Sequence, residues 1–264
     1  PDVSDEAYAD GRIARHAINR LRALSEDKSQ PFFMAIGFIR PHLPFSVPKK
    51  YWDLYDRSQL PLPEYEIPPL DAPSFAVKKG GEINNFKPID PSRALPYEEE
   101  LKRNLIHGYY ASISYMDKQL GRVMREINNL GLDENTIIVL WGDHGWHLGD
   151  HGMWTKHTNY EQSTRIPIII KAPGITREGI VCNQTVETVD LFPTLADLAH
   201  LERKVPNQEL DGKSLTPLLK DPFNPVKDHI YHTYIRQGYI GEAIRNKRYR
   251  IIRWSHLKEE KETV

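Results

Sequence analysis

The chain has 264 residues, 39% of them hydrophobic and 27% charged, which supplies enough apolar material for one large domain or two ordinary ones. Lys and Arg number 35 against 36 Asp and Glu, a formal net charge of −1, so no global field marks nucleic acid as a partner. No apolar run reaches the roughly eighteen residues of a membrane span, the opening "PDVSDEAYAD" is acidic and polar, unlike a signal peptide, and a single cysteine, Cys182, rules out an internal disulfide framework and a Cys-based zinc cluster.

From Asp5 to about Leu24, Ala7, Ile13, Ala17, Ile18, Leu21 and Leu24 recur at helical spacing, with Ser4 or Asp5 as the expected cap. "PFFMAIGFI" (31–39) is an apolar run too short for a long helix and reads as a buried strand. Residues 40–97 are punctuated by proline and read as functional loop or linker. Residues 97–132 predict the longest helix, with Leu101, Leu105, Tyr109, Ile113, Met116, Leu120 and Val123 as its apolar stripe and Gly131 as its stop. "TIIVLWG" (136–142) and "IPIIIKAPG" (166–174) are two further buried strands, and "DLFPTLADLA" (190–199) is a short helix with Asp190 at its N-cap. Beyond Asp228, "HIYHTYI", "EAIRN" and "YRIIRW" read as short strands, with "RNKR" as a hairpin turn. Alternating strands and helices predict an α/β fold: a mainly parallel sheet flanked by helices, with its ligand site beyond the carboxyl ends of the strands. The expected division is 1–220 for this layer and 221–264 for the start of a smaller antiparallel subdomain.

"GDHGWHLGDHGMWTK" (142–156) follows directly on a predicted strand. His147 and His151 have the i, i+4 spacing of a zincin helix, but four glycines oppose a helix here and the zincin glutamate is missing. Loop aspartates and histidines also serve simply to satisfy backbone groups. Position favours chemistry: Asp143 and His144 leave a strand end, a carboxylate beside an imidazole offers two metal-capable donors, and Lys156 is a point charge suited to sulfate or phosphate. The residues by themselves point to a metal-assisted hydrolase site for an anionic ester.

Residues 136–174 resemble the metal-and-lysine segment of the type I sulfatases, in the alkaline phosphatase superfamily. "PFFMAIGFIRPHLPFSVPKKYWDLY" (31–55) resembles their strand leading into Pro-His, "HGYYASISYMDKQLGRV" (107–123) their central helix, and "VETVDLFPTLADLA" (186–199) with "LDGKSLTPLL" (210–219) the next signature. The Trp after Asp-His-Gly and the run Pro-His-Leu-Pro-Phe are most similar to the iduronate-2-sulfatase branch. The resemblance implies an alkaline-phosphatase-like sandwich and a sulfuric ester hydrolase acting on a sulfated sugar or glycosaminoglycan through a formylglycine nucleophile. It further implies Asp143 and His144 as metal ligands, Lys156 as the sulfate clamp, and His42 as a sulfate contact and general acid. Trp146 and Trp154 are candidates to line the substrate cleft. Calcium is the implied ion, although His144 stands where many sulfatases carry asparagine, which keeps a softer ion such as zinc open. A periplasmic, secreted or lysosomal enzyme is the compartment the resemblance suggests.

The nucleophile motif Cys/Ser-x-Pro-x-Arg does not occur: the cysteine reads "VCNQT" (181–185), and "SVPKK" (46–50) carries lysine at the last position. The chain therefore resembles roughly the second half of a sulfatase, and by itself is expected to be inactive. The nucleophile is expected on a missing N-terminal segment, as a companion polypeptide or otherwise. Two alternatives stand beside this reading: a phosphodiesterase or phosphonate monoester hydrolase of the same superfamily, and a non-catalytic module that binds sulfated saccharide. The basic stretch 243–257 fits either a polyanion grip or a charge-guarded sheet edge, and the sequon at Asn183 is one that chance alone supplies.

Overall fold

A computed structural model describes every residue except 28, 79, 88, 91–95, 202–207, 259–261 and 264. The chain divides into two compact units: one comprises Pro1–Leu70, Lys78–Glu134 and His147–Thr155, the other Asp71–Val77, Asn135–Trp146 and Lys156–Val264. Among the described residues no helix is long and apolar enough to cross a membrane.

The first unit is built on helices α1 (Ala9–Ser25), α2 (Lys49–Trp52) and α3 (Glu99–Asn129). At 1.5 Å per residue α3 is about 46 Å long, and Gly131, in the left-handed region at φ 61°, follows its end as expected. Its buried face runs through Leu105, Ala111, Tyr115, Gln119, Val123 and Ile127: Leu105 and Val123 of the predicted stripe are buried, whereas Leu101, Tyr109, Met116 and Leu120 between and around them are only partly so and Ile113 is exposed. Polar partners account for the rotation. Tyr115 and Gln119 face inward because the Tyr115 hydroxyl accepts from Gly11 N (2.7 Å) and donates to Asp5 O (2.8 Å), while Gln119 Nε2 donates to the Asp5 carboxylate (3.1 Å). Hydroxyl and amide tips that are hydrogen-bonded go into a core as readily as apolar groups. Val47, Tyr51, Ala111 and Tyr115 form the packed centre, with Tyr8 and Trp52 against it. Asp5 is not a helix cap: α1 begins at Ala9 behind Tyr8, and the Asp5 carboxylate instead meets Lys50 and the Tyr51 hydroxyl.

The segment 31–39 is extended, with alternating exposure, and belongs to no ladder among the described residues; Phe33 is exposed. The other two predicted strands of the layer, β1 (Ile138–Trp141) and β2 (Ile168–Lys171), lie in the second unit and pair antiparallel, Ile138 opposite Lys171 and Trp141 opposite Ile168. This corrects the parallel expectation for the pair.

The rest of the second unit holds α4 (Glu161–Thr164), α5 (Leu191–Leu198), α6 (Thr216–Lys220) and a sheet of β3 (Ile230–Arg236), β4 (Tyr239–Arg245), β5 (Arg250–His256) and β6 (Glu262–Thr263) in that order, all antiparallel. The expected turn between β4 and β5 is present: Asn246 Oδ1 accepts from Arg248 N (2.9 Å) and Tyr249 N (2.7 Å). Asp190 is the N-cap residue of α5, as expected, but its side chain makes no capping bond to the helix; its carbonyl accepts the Thr194 hydroxyl at 2.6 Å. Its carboxylate closes a capping box with Glu187 N (2.9 Å) and also accepts Lys213 N (2.8 Å). The mixed helix-and-sheet architecture with a C-terminal antiparallel sheet is the one the sequence predicted.

Candidate functional site

Asp143 and His144 begin two residues after the carboxyl end of β1. The Asp143 side chain is 86% exposed, and His144 N donates to its Oδ1 at 3.1 Å. His144 Nδ1 lies 2.8 Å from Gly145 O, an acceptor, so this nitrogen carries the proton. Nε2 lies 3.5 Å from Asp143 Oδ2. A backbone carbonyl fixing one ring nitrogen so that the other can bind a metal is the usual support of a ligating histidine. Gly145 is required by packing: a Cβ there would stand 2.1 Å from Gln162 O, and its N–H bonds Ser163 O at 2.7 Å. The glycine thus seats the loop on α4.

Lys156 and Trp146 belong to the same unit, and Lys156 Nζ lies over the Trp146 ring, 5.7 Å from its centroid. This contact sets the cation against a half-buried aromatic face. Two residues beyond Lys156, Thr158 N turns back to Lys156 O at 2.9 Å, and Asn159 is fully buried.

His42 lies in the first unit. It follows the Arg40–Pro41 cis peptide, its Nδ1 donates to Leu43 O (2.8 Å), and its Nε2 faces Glu82 Oε1 at 3.4 Å. The extended segment reaches it through a clamp the sequence did not reveal: the buried Asp10 carboxylate accepts Ile39 N and Arg40 N, each at 2.9 Å. Arg40 then ties the loop by donating to His42 O (3.1 Å) and Ser46 O (3.1 Å).

The two Asp-His-Gly triplets part company. The first is in the second unit; the second, Asp150–Gly152, is a 3-10 turn in the first unit with His151 at φ 58°. Trp154 is 1% exposed and packs against Tyr97, so it is a core residue and not a cleft residue. His147 is fully buried, and burial, with a smaller contribution from His151, depresses its pKa to about 4. Among the described residues no three His, Cys, Asp or Glu side chains gather into a metal shell. Asp143 and His144 are therefore a two-donor fragment, one carboxylate oxygen and one imidazole nitrogen, and that donor set fits part of the coordination of a divalent ion.

Residues 2–201 match the family model described as Sulfatase, and residues 149–264 match that of the N-sulphoglucosamine sulphohydrolase C-terminal region. The chain belongs to the sulfatase family. It is 33% identical over 241 residues to a sulfatase of Formosa agariphila, covering 91% of this chain and 45% of that protein. Over 230 residues it is 32% identical to iduronate 2-sulfatase of Homo sapiens, covering 76% of this chain and 42% of that protein. The chain thus spans less than half the length of these relatives. Among solved structures, a protein in complex with its substrate D-glucosamine-2-N,6-O-disulfate superposes with a TM-score of 0.74 at 21% identity, over 97% of this chain and 62% of that one. A phosphonate monoester hydrolase from Silicibacter pomeroyi superposes at 0.72 with 22% identity, over 98% and 55%. The resemblance to sulfatases and the alkaline-phosphatase-like fold are borne out.

Proposed function

We propose that this chain supplies the sulfate-clamping half of a sulfuric ester hydrolase acting on a sulfated saccharide of the glycosaminoglycan class. The observation that carries the reading is the pair formed by Asp143 Oδ2 and His144 Nε2, 3.5 Å apart just beyond the end of β1, in the same unit as the Lys156 cation. Family membership and the iduronate 2-sulfatase relatives support it, as does the fold neighbour solved with a disulfated glucosamine.

In this reading Asp143 and His144 hold a divalent ion, calcium by preference for the carboxylate, which would add positive charge beside the sulfate oxygens. Lys156 holds the sulfate oxygens and places a cation beside the bridging oxygen, where charge develops as the S–O bond breaks, and Trp146 walls the cleft beneath it. His42 protonates the departing alcohol oxygen as general acid. The attacking formylglycine belongs to a segment outside these residues, in the same protein or in a companion polypeptide, so the chain by itself does not turn over.

The test is a competition assay on the protein that contains both this chain and the nucleophile segment, offering a sulfate ester and a phosphonate monoester of the same alcohol. A kcat/KM preference of at least a hundredfold for sulfate is expected. A preference for the phosphonate would assign the chain to the hydrolase class of the second fold neighbour.

A further inference from the structure

The stretch that carries Lys156 continues into Asn159 and α4, and His157, Asn159, Glu161 and Thr164 are each held by one face of the C-terminal sheet. The register places Tyr234, Gly241 and Trp254 side by side, with His232 and Ala243 one row away and Arg245 and Arg250 beyond. That face meets the stretch residue by residue. Tyr234 stacks on the His157 ring (5.6 Å between centroids, 25° between planes), and Arg236 donates to His157 O at 3.4 Å. Asn159 Nδ2 donates to Gly241 O at 3.1 Å, which fixes the amide so that its Oδ1 accepts from His232 Nδ1 at 2.6 Å; Arg250 donates to Asn159 O at 2.8 Å. Arg245 and Arg250 both bond the Glu161 carboxylate, at 2.9 and 2.7 Å, and Arg250 also reaches Thr164 Oγ1 at 2.8 Å.

Two features show that this seat is shaped for Asn159. A Cβ on Gly241 would lie 2.3 Å from Asn159 Nδ2 and 2.6 Å from the Trp254 ring, so only glycine at the centre of β4 admits the amide. Asn159 itself is 1% exposed with both amide atoms bonded, as a buried polar side chain must be. Burial opposes the charge of Glu161, yet the two guanidiniums hold its carboxyl below the usual range. Lys156 is only three residues from this pin, a span of at most about 11 Å of extended chain, and the turn from Thr158 N to Lys156 O shortens it further.

We infer that Asn159, seated between Gly241 and His232 and backed by the Glu161–Arg250 pair, is a positioning residue that sets where Lys156 meets the sulfate group, so that the C-terminal sheet acts on the reaction without touching substrate. The inference rests on the clamp role proposed for Lys156. A misplacement of about 1 Å at a catalytic group can cost about a hundredfold in rate, so a loosened pin has a measurable effect.

Two measurements test it. In this chain, Asn159→Ala is expected to speed amide hydrogen exchange across 156–165 at least tenfold while α3 amides stay unchanged; an unchanged stretch would overturn the pin. In the complete sulfatase, a double-mutant cycle on a sulfate ester separates positioning from stability. Asn159→Ala is expected to lower kcat/KM about tenfold when Lys156 is present and less than twofold when Lys156 is already alanine. Equal losses in both backgrounds overturn the inference and leave the role of Lys156 standing. A Lys156→Ala enzyme that loses less than threefold overturns the clamp reading, and positioning with it, whereas exchange still reports whether the pin exists. Should Asn159→Ala fail to fold, Arg250→Lys keeps the charge but loses the fork, and must show the same dependence on Lys156.

Discussion

The carboxylate of Asp10 accepts the backbone N–H of Arg40 at 2.9 Å, two residues ahead of His42. Its other oxygen takes Ile39 N, so one buried side chain on α1 fixes where the extended segment turns into the histidine loop. Removing it leaves two part-buried backbone donors without their acceptor. Asp10→Ala is expected to destabilise the chain by about 2–4 kcal/mol, and Asp10→Asn, which retains one acceptor, by about half as much. Urea unfolding measures both; a loss below about 0.5 kcal/mol for the alanine variant would remove the clamp from the account.

His147 predicts a pH dependence of stability. Burial holds its folded pKa at about 4, below the ordinary value of 6.5, so between these values the unfolded chain binds a proton that the folded chain refuses. Stability is therefore full above about pH 6.5 and falls as pH drops toward 4, by at most about 1.4 kcal/mol per pH unit from this group. His147→Gln is expected to flatten that part of the profile in chemical denaturation between pH 4 and 7. An unchanged slope would mean that other groups set it.

Lys227 sits between two carboxylates. Its Nζ contacts Asp190 Oδ1 at 2.6 Å and also Glu187, and Asp190 is fully buried. Burial disfavours the ammonium, yet contact with the two carboxylates raises its pKa above the ordinary lysine value. Lys227→Met strands the acids and is expected to cost about 3–5 kcal/mol. A loss under about 1 kcal/mol in thermal or urea unfolding would show that the acids are already neutralised without it.

Asp143 and His144 offer only part of an ion's shell, so calcium affinity of this chain alone is expected to be weaker than about 1 mM, where sites of few protein ligands fall. Calorimetric titration checks this. A dissociation constant below about 10 μM, abolished by Asp143→Ala, would contradict a two-donor fragment and require further ligands within the chain.

What the sequence made legible follows from period and motif. The two long helices, the hairpin turn at 245–248 and the strand that leads to Asp143 were readable because local spacing dictates them, whereas the apolar run 31–39 joins no ladder among the described residues. The buried face of α3 was not, because Tyr115 and Gln119 are turned inward by Asp5 and Gly11, more than a hundred residues away. The pairing direction of β1 and β2 escaped for a related reason: a short apolar run records burial and says nothing of its neighbour's direction. Nothing in the local sequence marks Asp10 or Asn159, and only tertiary hydrogen bonds reveal what they hold. The sequence marks Lys156 as a candidate cation; its place over the Trp146 ring is seen only in the structure.

The central claim is that Lys156 clamps sulfate and His42 delivers a proton, and the most direct measurement is kcat/KM for a sulfate ester in the complete enzyme with each residue changed to alanine. Losses of about 10²–10³-fold for Lys156→Ala and about 10²–10⁴-fold for His42→Ala, with folding intact, are the results this account predicts. Losses below about threefold for both would contradict it.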